Sequence, residues 1–74
     1  MIIKKYIKFK DNSFAIWPSP SISHSMMVRI LNRSPITAGF IDDSGECYGE
    51  SISLRLKADS KDTQLLINYL GYDN

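Results

Sequence analysis

The stretch "IIKKYIKFKDNSFAIW", residues 2–17, decides how this chain folds. Alternate side chains of a strand point to opposite faces. Ile3, Ile7 and Phe9 therefore share one face, while Lys4, Tyr6, Lys8 and Lys10 share the other. That pattern predicts a half-buried strand with a basic outer face. Asp11, Asn12 and Ser13 supply turn chemistry, because short polar side chains bond the local backbone and tolerate left-handed dihedrals. Phe14, Ala15, Ile16 and Trp17 then read as the return strand of a hairpin. Pro18 and Pro20 remove two backbone donors and hold their predecessors extended, which ends the strand and opens a loop.

Beyond the loop, Ser23 is the best N-cap, with Ile22 and Met27 at the two positions of a hydrophobic staple. At about 100° per residue, Met26, Met27, Val28, Ile30 and Leu31 fall on one broad arc, and Ser25, Arg29, Asn32 and Arg33 fall opposite. His24 lands inside the apolar arc and is expected to pack at the rim of the core. Pro35 closes the helix, and residues 36–41 form the next strand run. The loop 42–45 has the length and glycine content of a hairpin connection. In the following run, 47–56, Ile52, Leu54 and Leu56 alternate with Ser51, Ser53 and Arg55, with Gly49 as a candidate bulge. Residues 59–71 read as the clearest helix. Ser60 is the expected cap, Asp62 sits in the first turn, Thr63, Leu66, Ile67 and Leu70 form the buried stripe, and Gly71 makes the stop. Tyr72 is placed to close back on Ile67.

This order, ββαββα, predicts a single α+β domain over 1–74 with a four-stranded, largely antiparallel sheet and both helices on one face. Each half, 1–34 and 35–74, is a hairpin followed by a serine-capped helix. The repeat is compatible with a structural duplication that residue identity does not establish.

A chain of 74 residues hides only about 60% of the area it exposes when unfolded, so stability is modest and oligomerisation would add to it. With 43% hydrophobic and 23% charged residues, the composition is that of a globular domain. The longest uninterrupted apolar runs, 26–28 and 65–67, are far short of a membrane span. No signal-peptide apolar core follows the first lysines, so the segment reads as mature sequence. One cysteine makes no internal disulfide, and one Cys with one His falls short of a structural zinc site; a cytoplasmic protein is expected. Net charge is +1, but it is unevenly spread. Residues 1–34 hold six basic groups against one acid, a balance of +5, and residues 35–74 hold seven acids against three basic groups, a balance of −4.

Catalytic, cofactor and metal sites are not expected. Cys47 lies beside Glu46 and near Asp42 and Asp43, a setting that raises a thiol pKa rather than activating it, which argues against a nucleophilic pair with His24. Asp42, Asp43, Glu46 and Glu50 lack the ligand spacing of a calcium loop and read as a solvated hairpin tip. The glycines lack the lysine and the strand-to-helix context of a phosphate loop. The prolines of 17–21 suit a polyproline ligand only weakly.

The informative constellation is the sheet face left open by the helices: Lys4, Tyr6, Lys8, Lys10, Trp17, Ile41 and Arg55. Lysines interleaved with exposed rings suit single-stranded nucleic acid, since lysines neutralise phosphates and rings stack on bases. The plainer reading is a lysine-lined edge that resists sheet-to-sheet aggregation. A third is an apolar patch for another protein. The leading expectation is a small non-catalytic interaction or regulatory module of unknown partner, with a single-stranded nucleic-acid binder as the alternative. The charge split also suggests a weak homodimer that loosens with salt.

Overall fold

The computed structural model describes residues 3–71. Strand β1 (Lys4–Lys8) and strand β2 (Phe14–Pro18) form the expected antiparallel hairpin, with Lys8 opposite Phe14 and Lys4 opposite Pro18. Asn12 adopts φ 67° in its turn, and Asp11 caps the turn by accepting from the Ser13 amide and hydroxyl. Helix α1 (His24–Leu31) starts where Ser23 Oγ accepts from the Met26 amide at 3.1 Å. It stops at Asn32, whose left-handed backbone returns its N–H to the Val28 carbonyl.

Strand β3 (Thr37–Ile41) pairs antiparallel with β1 on the side away from β2, and β4 (Cys47–Tyr48) pairs with β3. The main sheet therefore runs β2-β1-β3-β4, every neighbour antiparallel. The α+β class and the four-stranded antiparallel sheet are as the sequence predicts. The run 47–56 is not one strand. Gly49, at φ 79°, ends β4, and a small separate hairpin follows: β5 (Glu50–Ser51) and β6 (Leu56–Lys57) around a turn in which Arg55 takes φ 57°. Ile52 is left in solvent, while Leu54 and Leu56 reach the core. The alternation of 51–56 is therefore a turn's coincidence, because its members do not share one sheet.

Helix α2 (Asp62–Leu70) differs at its start from the expectation. Ser60 does not cap it. Asp59 Oδ1 accepts from the Lys61 amide, and Asp62 Oδ2 reaches back to the Asp59 amide at 3.0 Å. Gly71, at φ 78°, closes the helix by donating to the Ile67 and Asn68 carbonyls. Tyr72 lies outside the described residues.

The placement of the helices also departs from expectation: they do not share a side of the sheet. Tyr6, Phe14, Ile16, Ile41 and Cys47 form one cluster with Leu65 and Leu66 of α2. Ile7, Phe9, Ala15, Trp17 and Ala38 form the other with Ile22, Met27, Val28, Leu54 and Leu56, on the side of α1. The chain is thus layered helix, sheet, helix. Flanked on both edges and covered on both faces, β1 buries Tyr6, Ile7 and Lys8, and Phe9 just beyond it. Each large apolar side chain so buried is worth about 1.5–3 kcal/mol.

Candidate functional site

The face under α2 holds a polar cluster that no expectation anticipated. Register places Tyr6 opposite Gly39, and a Cβ at position 39 would collide with the Tyr48 carbonyl and lie 3.2 Å from the Tyr6 ring. The glycine leaves that ring its room. Tyr6 donates its hydroxyl to Asp62 Oδ2 at 2.5 Å, and Lys8 Nζ pairs with Asp62 Oδ1 at 2.7 Å. Both ends of the ion pair are buried, Lys8 4% exposed and Asp62 fully enclosed. With the Asp59 amide also donating, the carboxylate receives three hydrogen bonds. Thr37 Oγ1 lies buried in the same region, beside Tyr6 and Asp62.

Burial alone would push the Asp62 carboxyl up. The Lys8, Tyr6 and Asp59 hydrogen bonds more than offset this and hold it below the usual carboxylate range. Burial, followed by its bond to that carboxylate, pushes the Tyr6 phenol up, so it keeps its proton. Burial raises Cys47 to about 11, with the Asp62 charge adding to the effect. These groups are saturated by one another. Neither of two open clefts of about 430 Å³ is lined by Tyr6, Lys8, Cys47 or Asp62.

On the opposite face His24 is 5% exposed, edge-on to the rings of Trp17 and Phe40. Its Nε2 lies 2.8 Å from the Gly39 carbonyl, a contact that requires the Nε2–H tautomer as donor. Burial lowers its pKa; the Gly39 carbonyl opposes the shift and Lys5 adds to it, so the ring is neutral. The Ile22 carbonyl accepts from both Trp17 Nε1 at 2.8 Å and Lys5 Nζ at 3.0 Å, which fixes the loop leading into α1. His24 and Cys47 belong to opposite faces, with the sheet between them. Among the described residues there is no group of three or more His, Cys, Asp or Glu placed to hold a metal ion.

The seven residues expected to line one open face are dispersed. Lys4, Lys10 and Arg55 are exposed, Arg55 in the β5–β6 turn. Tyr6, Lys8 and Ile41 are buried beneath α2, and Trp17 is buried on the other side. The expectation fails because α2 covers the face taken to be open. Asp62 was the missing piece. Its only sequence signal is negative: Lys8 sits in "YIKF", where every neighbour is large and apolar, and a lysine there needs an internal counter-charge.

The exposed apolar residues lie elsewhere. The arc of α1 is wider than the sheet can cover, so Met27 and Val28 pack while Met26 and Ile30, on the flank, stand 47% and 59% exposed. Arg29 is exposed beside them, and no acidic residue occurs between Asp11 and Asp42. Among the described residues no helix is long and apolar enough to cross a membrane. No protein-family model, no curated protein and no solved structure matches the chain.

Proposed function

We propose that this chain is a small, non-catalytic protein-interaction or regulatory module of the cytoplasm, and that it docks its partner on the outer flank of α1. The observation that carries this reading is the exposed Met26–Ile30 stripe beside Arg29. Exposed apolar surface rimmed by polar groups marks contact sites. The local charge is basic throughout, so the partner of best fit presents acidic groups beside apolar ones. A non-catalytic role is supported by the mutual saturation of Tyr6, Lys8 and Asp62 and by the raised Cys47 thiol. The alternative, single-stranded nucleic acid, is less well supported because its two stacking rings, Tyr6 and Trp17, are buried.

The test is capture of partners from a cell extract, with and without nuclease, by the wild-type chain and by Ile30→Glu. The substituted side chain is solvent-facing, so the fold should persist. Proteins retained after nuclease, lost with Ile30→Glu and weakened by salt would support the reading. Capture that nuclease abolishes and Ile30→Glu leaves untouched would replace it with the nucleic-acid alternative.

A further inference from the structure

We propose that the outer edge of β2 pairs, antiparallel and about a twofold axis, with the same edge of a second copy, joining two four-stranded sheets into one. This rests on the backbone and is independent of the α1 flank. In the β1–β2 hairpin the Ser19 amide bonds the Ile3 carbonyl and the Phe9 amide bonds the Ser13 carbonyl. Antiparallel ladders alternate. Ala15 and Trp17 therefore turn their N–H and C=O groups toward β1, and Phe14, Ile16 and Pro18 turn theirs outward. β2 is an edge of the sheet; the Pro18 carbonyl already accepts from the Ser21 amide and hydroxyl, and no backbone bond outside the ladder reaches the outward groups of Phe14 and Ile16 among the described residues.

Edge strands are ordinarily blunted by charges, bulges or shortness. β4, the other edge, has only two residues and ends at the positive φ of Gly49. β2 is five residues long, carries no charged side chain and has no residue at positive φ. Pro18 is its one protective device. With Ala15 opposite its own copy, each Phe14 N–H meets the other Ile16 carbonyl, and each Ile16 N–H meets the other Phe14 carbonyl. Every outward donor is then satisfied, and neither the N–H that proline lacks nor the Pro18 carbonyl is needed. No like charges face each other across the axis. Beside this edge Tyr69 stacks on Phe14 with half of its surface exposed, which extends the contact from backbone to side chain.

Sedimentation of the full chain over a range of concentrations, in low and high salt, tests the proposal together with amide exchange at Phe14 and Ile16. The expected result is a mass that doubles with concentration whatever the salt. Exchange at those two amides should slow by about tenfold once ~90% of chains are paired. Ile16→Pro deletes an outward donor and should hold the chain monomeric at all these concentrations. If that variant fails to fold, the wild-type exchange data decide alone. A monomer mass throughout, or a dimer whose Phe14 and Ile16 amides exchange as fast as in the monomer, overturns the proposal. Loss of the dimer in high salt alone would do so as well.

Discussion

Lys8→Met is the most informative single change. It leaves the Asp62 carboxylate fully buried with Tyr6 and the Asp59 amide but without a counter-charge. Breaking a buried pair by removing one partner costs about 3–5 kcal/mol. The two surviving donors place Lys8→Met near ~3 kcal/mol on that scale. A chain of 74 residues has a total stability of about 4–11 kcal/mol, so the loss is a large fraction of the whole. Asp62→Leu should cost more, because it strands the Lys8 ammonium, the Tyr6 hydroxyl and the Asp59 amide together. The double variant buries no charge and strands only the phenol and the amide, at about 1–3 kcal/mol each. It should therefore be no less stable than Asp62→Leu alone. Urea unfolding followed by the fluorescence of Trp17, the only tryptophan and itself buried, reads all four corners of the cycle. Single-variant losses that add to within about 0.5 kcal/mol in the double variant would refute the coupling on which the reasoning depends.

Acid should unfold the chain in two stages. His24 is lowered by burial, so its contribution is complete above the unfolded value of about 6.5 and declines as pH falls below it. Asp62 is held below its ordinary value, so its contribution is complete above about 3.9 and is lost as pH falls through the folded value. Urea midpoints between pH 8 and 3 should show the first decline in the wild type and not in His24→Phe. Gly39→Ala should destabilise by about 1–3 kcal/mol through overpacking against the Tyr48 carbonyl and Tyr6, measured by the same midpoint. Alkylation of Cys47 at neutral pH should be slow in the native chain and accelerate in denaturant, because its thiol is raised to about 11 by burial.

Local signals in the sequence carried far, and tertiary ones did not. The hairpin, the Ser23 cap and the Gly71 stop each depend on a few adjacent residues whose chemistry acts within one turn. The Lys4, Tyr6, Lys8 face read as solvent-facing because two of its three members carry charge, and nothing near them names the carboxylate 54 residues away that neutralises Lys8. From that error came the placement of both helices on one side and of Tyr6, Ile41 and Trp17 on an open surface. Ser60 is a good cap by residue type, yet Lys61 holds the N-cap position without a side-chain bond, and Asp62, drawn inward by Lys8, reaches back to the Asp59 amide instead. The α1 flank was visible as an apolar arc, but how much of that arc the sheet would cover depended on packing.

The Lys8–Asp62 bridge also constrains the timing of assembly. Ribosomes make β1 well before α2, so the innermost strand must wait, with a lysine facing a space that only α2 can fill. Until then the β1–β2 hairpin and α1 can form by local contacts, but the half of the sheet under α2 remains wet and reversible. Closure of this long loop should accordingly add to a folding barrier that already includes the non-local pairing of β1 with β3. Chains interrupted short of α2 would expose Tyr6, Phe14 and Ile41 together, a surface suited to capture by chaperones or proteases.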